Sequence, residues 1–185
     1  MSIEAVEKIK ARFPEAVEAA HSQAGDDTVR VHRDSWLEVL GFLRKPLGFD
    51  LFVDLTAVDY LGREEELPRF EVVVHLRNMA TGKRIRVKSR LPESDPSIQS
   101  LSLLWKGANW FERECHEMYG ILFKDSPDLR HLLLYPEFEG HPLRKDYPID
   151  KRQPRIPLLA SEERRFSRPA DETPHGHDPR FQEKP

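Results

Sequence analysis

Apolar residues at the start of the chain recur at helical spacing. Ile3, Val6, Ile9 and Phe13 fall on one stripe. They predict a helix over residues 3–20, with Ser2 as its cap and Pro14 kinking or dividing it. SQAGDD at 22–27 reads as a loop and Val29–Val31 as a short strand. Asp34 or Ser35 is placed to cap a helix running to about Leu43, whose stripe is Trp36, Leu37, Val39, Leu40 and Leu43.

The period then changes. FDLFVDLTAVDYL at 49–61 and RFEVVVHLRN at 69–78 are rich in β-branched and aromatic residues and read as strands. In ATGKRIRVKSRL at 80–91, a turn at Thr81-Gly82 leads into strict alternation. Ile85 and Val87 face one way, and Arg84, Arg86 and Lys88 the other. Short connections imply antiparallel pairs. ESDP at 93–96 is a loop, and Ile98–Trp105 reads as helical. Asn109 stands as an N-cap with Glu112 completing a capping box. The helix NWFERECHEMY then stops at Gly120, a natural C′ residue. DLRHLLLYP at 128–136 reads as a short strand or extended segment. Helices followed by a run of strands predict an α+β fold, with N-terminal helices packed on a mixed, largely antiparallel sheet.

Residues 1–136 hold this pattern; 137–185 do not. Residues 141–185 contain eight of the chain's 15 prolines. Pro142, Pro148, Pro154 and Pro157 forbid a long helix, so the segment is an extended, Pro-rich ribbon without a core of its own. Leu143, Tyr147, Ile149, Ile156, Leu158 and Leu159 are spaced along it as candidate anchors. Composition alone leaves docked and solvated states about equally open, with the last ~20 residues leaning to disorder.

At 185 residues the chain suits one domain with an appendage. Its net charge of −3 gives no case for nucleic-acid binding. Cys115 is the sole cysteine, so the chain makes no internal disulfide and no all-cysteine metal or iron–sulfur site. The N-terminal stretch is amphipathic and lacks a signal-peptide core, and no apolar run is long enough to span a bilayer.

Chemistry concentrates around residues 109–120. Arg113 and Glu117 are spaced to pair along a helix, and Glu114 and Glu117 are three apart. Carboxylates so spaced can ligate a metal, and a metal hydrolase using both with a distant histidine is one reading. Surface ion pairing is the plainer one. His116-Glu117 begins a zinc-protease motif, but Gly120 occupies the second histidine's place. Cys115, between Glu114 and His116, reads as a packing residue. GHPLRKDYP at 140–148 sets Arg144, Lys145, Asp146 and Tyr147 between two prolines, a stiff charged segment suited to an interface. HGH at 175–177 is a weak chelating pattern, and incidental histidines are the commoner explanation. No phosphate-binding glycine loop, CxxC or G-x-S-x-G is present, so no catalytic residue is assigned.

ERECHEMYGILF at 112–123, Leu129-Arg130 and EGHPLRKDYP at 139–148 resemble the signature of the respiratory complex I 30 kDa subunit family, the C subunit of NADH-quinone oxidoreductase in bacteria. LTAVDY, RFEVVVHL, IRVK and WKGANWFERE follow the family's order, so the resemblance covers roughly residues 35–150. Glu117 stands where the family more often has Asp. The resemblance implies a subunit without its own cofactor, in the peripheral arm on the cytoplasmic side of the bacterial inner membrane. The 49 kDa-type (D) subunit would be its chief partner, with the B and I subunits nearby. The complex would carry FMN and iron–sulfur clusters and pass electrons from NADH to quinone. Related complexes use other donors, which this chain does not encode. By resemblance, Glu112, Arg113, Glu114, Glu117 and Arg130 form a charged signature. Glu139, Gly140, His141, Pro142, Leu143, Arg144, Lys145, Asp146, Tyr147 and Pro148 form a segment that wraps over partners. Arg144 would anchor to a partner carboxylate.

Overall fold

The computed structural model describes residues 3–63 and 68–155. One compact unit spans Met1–Arg152, and Gln153–Pro185 form a second. Of the second unit only residues 153–155 are described, so the anchors Ile156, Leu158 and Leu159 and the HGH pattern lie outside the described residues.

Five strands form the main sheet: β1 (Val17–Gln23), β2 (Asp26–Val31), β3 (Leu51–Asp59), β4 (Phe70–Arg77) and β5 (Arg84–Leu91), in the order β1-β2-β5-β4-β3. β2 and β5 are parallel, with Val29 opposite Val87, and the other pairs are antiparallel. The α+β reading with a mixed, largely antiparallel sheet is therefore met. Two short strands, β6 (Ser97–Gln99) and β7 (Leu122–Lys124), make a separate parallel pair. Among the described residues the α-helices are α1 (Ile3–Arg12), α2 (Trp36–Arg44) and α3 (Ala108–Tyr119).

Alternation sends Phe70, Val72, Val74 and Leu76 of β4 into the core beside Val29, Val31, Ile85, Val87 and Leu91. Trp36, Val39, Leu40 and Leu43 of α2 are also fully buried in that core. Phe52 of β3 meets Trp105 and Phe111 at ring-centroid distances of 5.9 and 5.5 Å, tying the approach to α3 onto the sheet.

Three local expectations change. The first helix ends at Arg12, because Pro14 has no N–H to continue the ladder. Residues 17–23 instead pair with β2, and strand pairing overrides their helical spacing. The loop expected at 22–27 shrinks to a two-residue hairpin. Ala24 and Gly25 both have positive φ, 53° and 84°, the conformation such turns require. Residues 98–105 form no helix. Ser97–Gln99 pair with β7, and the next turn is drawn toward a buried carboxylate described below. Residues 128–136 join no strand ladder; side chains of α3 hold them.

The compact unit extends past residue 136. Residues 137–152, which composition sets apart from the domain, pack on it as a strap.

Candidate functional site

α3 begins at Ala108, with Gly107 at its N-cap and no capping side-chain bond. The capping box expected of Asn109 and Glu112 is not formed. Asn109 Nδ2 instead donates to Ser126 Oγ and the Asp128 carbonyl. Glu112 is wholly buried and accepts from Ser100 Oγ at 2.7 Å and the Leu101 N–H at 2.6 Å. Burial pushes its carboxyl above the usual range, against those two donors. Glu112 thus bends the 100–104 segment for which periodicity predicts a helix.

Glu117, also buried, organises the segment after β7. Its two oxygens accept the N–H groups of Leu132, Leu133 and Leu134 at 2.9, 2.9 and 3.2 Å. Three consecutive backbone donors on one carboxylate form an anion nest turned inward. Arg113 does not pair with Glu117. It donates to the carbonyls of Arg130 and His131, both at 2.8 Å, and lies 5.2 Å over the Trp110 ring. Glu114 lies exposed on the outer face of the helix. Arg130 is exposed and holds Asp128, whose carboxyl lies well below the usual range because of that contact. With Glu117 occupied by backbone donors, the hydrolase arrangement loses one of its two carboxylates. Cys115 is buried with Sγ 3.9 Å from the Leu55 carbonyl, and burial pushes its thiol far up, which suits packing and not reactivity.

The strap closes the other end of α3. Gly120 (φ 74°) ends the helix, leaving carbonyls that need donors. The strap supplies three in sequence. His141 Nδ1 donates to the Glu117 carbonyl at 2.9 Å, the Leu143 N–H to Met118 at 3.1 Å, and Arg144 Nε to Tyr119 at 2.6 Å. A carbonyl only accepts, so the proton of His141 sits on Nδ1. Burial lowers the pKa of His141, and Arg144 nearby adds to this. A Cβ on Gly120 would collide with Arg144 Nη2 and stand 2.5 Å from His141 Nε2, so only glycine admits the strap.

An ion network centred on the buried pair Arg69 and Asp59 fastens the next residues. Arg69 is held between Asp59 Oδ2 at 3.0 Å, Asp146 Oδ1 at 2.6 Å, and Glu93. Asp59 also accepts the Lys145 N–H at 2.9 Å. Burial alone would raise the Asp59 pKa, but Arg69 and the N–H donors outweigh it and hold it low; Asp146 is lowered chiefly by Arg69. The guanidinium of Arg144 lies 5.2 Å over the Phe70 ring. Tyr147 stacks on Phe138 at 6.2 Å, and the Gly140 α-carbon (φ 95°) passes close to its ring, so that a Cβ there would stand 3.1 Å from it. Lys151 Nζ donates to the Glu139 carbonyl. Pro142 is half-buried and Pro148 exposed.

Asp59, Arg69 and Glu93 were not singled out from sequence. Asp59 carried a signal, since it shares its face of β3 with Leu55 and Ala57 and so brings a carboxylate to the core side. Turned outward beside these anchors are Trp110, 57% exposed, Leu133, 64%, and Leu143, 51%. Arg113, Arg130, His131, Leu134 and Pro136 line an open hollow of ≈ 570 Å³. Among the described residues, no three His, Cys, Asp or Glu side chains are grouped to hold a metal ion.

Residues 29–153 match the family described as respiratory-chain NADH dehydrogenase, 30 Kd subunit. The C subunit of NADH-quinone oxidoreductase from Citrifermentans bemidjiense is 47% identical over 145 residues, covering 78% of this chain and 88% of that protein. A solved trypsin-resistant fragment (1–134) of Nqo5 is 29% identical with a TM-score of 0.62, covering 70% of this chain and all of the fragment. A chain of an archaeal membrane-bound sulfane sulfur reductase has the same fold, with 24% identity and a TM-score of 0.66, covering 90% of this chain and 91% of that one.

Proposed function

The chain belongs to the respiratory-chain NADH dehydrogenase 30 Kd subunit family, and from that premise we propose that it is a structural and assembly subunit. It would serve the peripheral arm of a proton-pumping NADH:quinone oxidoreductase and support the quinone-reducing module. Its chief partner is the 49 kDa-type (D) subunit, with the B and I subunits nearby, on the cytoplasmic side of the membrane. No described helix is long and apolar enough to cross a bilayer; attachment would run through protein contacts. FMN and the iron–sulfur clusters belong to other subunits. A single buried cysteine does not fit a cysteine-ligated cluster.

One observation carries this reading. The buried carboxylates of the signature helix, Glu112 and Glu117, are used up on backbone and hydroxyl donors. Their work is to shape two loops, one of which carries Leu133, and Leu133 faces outward together with Trp110 of α3 and Leu143 of the strap. An aromatic and two leucines beside Arg113 and Arg130 have the composition of interface anchors. The double variant Trp110→Ala/Leu133→Ser tests this. It should keep the domain's stability to within about 1 kcal/mol, since exposed side chains bury little area. It should also lose the 49 kDa-type subunit on affinity purification from membranes. Recovery of that subunit at wild-type yield refutes the assignment of these residues. The fold recurs in a sulfane sulfur reductase, so the NADH assignment rests on the sequence relatives.

A further inference from the structure

The outer face of the main sheet carries chemistry that the docking ridge does not use. Alternation places Arg30 of β2, Arg77 of β4, and Arg84, Arg86, Lys88 and Arg90 of β5 there. Among the described strand residues, the carboxylates on this face are Asp26, Asp54 and Glu71. Among those strand residues, six cations stand against three carboxylates, on a chain whose formal net charge is −3.

Glu71 sits at the centre and is wholly buried. Arg30 Nε at 3.1 Å, Lys88 Nζ at 2.8 Å and Tyr60 Oη at 3.0 Å close over it, with Arg90 Nε 3.7 Å away. Three cations on one carboxylate leave an excess of positive charge. Their long stems also cover the sheet, so that Val73 on this face is only 5% exposed. The outcome is a smooth layer whose cations are arginine at every position but one. Guanidinium is planar and weakly hydrated, which suits it to ion pairs at dry interfaces. Arg77 and Arg84 lie directly opposite across β4 and β5, a like-charge pairing. Asp26 lies 3.3 Å from Arg84 Nη2, and an anion beside Arg77 would offset the like-charge pairing.

The border of the layer indicates the kind of anion. Val53, 47% exposed, lines a hollow of ≈ 220 Å³ together with His75, Arg84 and Arg86. Asp26 and Asp54 break up the positive field, which disfavours a continuous phosphate backbone or a plane of lipid headgroups. Apolar side chains mixed with arginine match a protein surface. We propose that this face is a second docking surface, and that its occupant is an acidic segment of another protein subunit, presenting Asp and Glu side chains to the arginine layer. The proposal requires a protein partner but not the Trp110–Leu133 ridge, so each can fail without the other.

The test uses the full tagged chain, expressed in its source organism and purified with its membranes. Arg77→Glu/Arg84→Glu reverses two exposed charges outside the Glu71 cluster. Lys10→Glu/Lys45→Glu makes the same change in net charge elsewhere. The first should lower recovery of co-purifying subunits by about tenfold at low salt, and the wild-type recovery should fall as salt rises. The second should leave recovery unchanged. A photo-crosslinker at position 84 of the otherwise native chain should label an Asp/Glu-rich stretch of a co-purifying subunit. That arm stands even if the double variant folds poorly. Wild-type recovery by the folded Arg77→Glu/Arg84→Glu protein overturns the proposal. So does crosslinking confined to lipid, nucleic acid or a second copy of the chain.

Discussion

Replacing Glu117 with Gln tests the role of α3 most directly. The change keeps the shape and removes the charge. In the native chain one carboxylate oxygen accepts from Leu132 and Leu134 and the other from Leu133. A glutamine amide has only one accepting side. If its oxygen turns to Leu132 and Leu134, its NH₂ confronts the Leu133 N–H, donor against donor. A hydrogen bond to a charged group contributes about 1.5–3 kcal/mol, and a donor left unpaired costs ~1–3 kcal/mol. One bond is lost and two become neutral, so the expected destabilisation is about 2–4 kcal/mol. That is a large part of a typical domain's ~5–15 kcal/mol, yet compatible with folding. Urea denaturation of the purified chain gives the magnitude. Amide hydrogen exchange gives the location: Leu132–Leu134 should lose protection while the β4 amides keep theirs. A loss below about 0.5 kcal/mol, with the three amides still protected, would refute the idea that this carboxylate builds the loop.

Other consequences follow from the strap. Gly120→Ala puts a methyl group on top of Arg144 and His141 in a left-handed position that costs about 1–2 kcal/mol for an L-residue by itself. It should open the strap to trypsin at Arg144 and Lys145 before the core unfolds; unchanged cleavage kinetics would contradict it. Arg144→Ala removes the donor to Tyr119 and the contact with Phe70, and should weaken assembly while the domain stays folded, read by co-purification beside circular dichroism. Arg69→Met strands Asp59 without its buried partner and should cost about 3–5 kcal/mol in urea denaturation. Asp59 and Asp146 have lowered carboxyl pKa values. Their contribution is complete above the unfolded value near 3.8 and disappears as pH falls through the folded values, so acid should release the strap in wild type but change little further in Arg69→Met. His141 is also lowered, so the neutral form supports the fold; its stabilisation is present above about 6.5 and lost as pH falls through the folded value. An NMR titration placing its pKa at or above about 6.5 would contradict the buried, Nδ1-protonated geometry.

The elements that were legible in sequence have one buried face. The alternation of Ile85 and Val87 against Arg84, Arg86 and Lys88 placed β5, and the apolar stripe from Trp36 to Leu43 placed α2, because water exclusion writes its period into the residues. The misreadings fall where side chains, and not periodicity, set the backbone. Residues 98–105 have helical spacing, but Glu112 takes the Leu101 N–H. Residues 17–20 look like more helix until β2 offers a partner. Arg113 and Glu117 have the spacing of an ion pair, yet each found better partners in carbonyls and N–H groups distant in sequence. Such choices depend on which segment lies opposite, and spacing along one helix does not encode that.

The signature residues therefore require a different account from the one their charge suggests. Glu112, Arg113, Glu117, His141, Arg144 and Asp146 look like groups available to a partner. In the folded chain each is already bonded to another part of the same unit. A group so engaged would have to give up those bonds before binding elsewhere, and for buried Glu112 and Glu117 that means exposing unpaired donors at several kcal/mol. If the chain docks as proposed, selection for docking would act on these residues through the shapes they enforce. Glu117 fixes the backbone that turns Leu133 outward, and Arg113 holds both Trp110 and the 130–131 backbone. The strap, tied down by His141, Arg144 and Asp146, leaves Leu143 and Ile149 exposed. On the proposed function, partner contact would fall to these few apolar side chains and to the arginine layer on the far face of the sheet, both of which could bind without dismantling what holds the domain together.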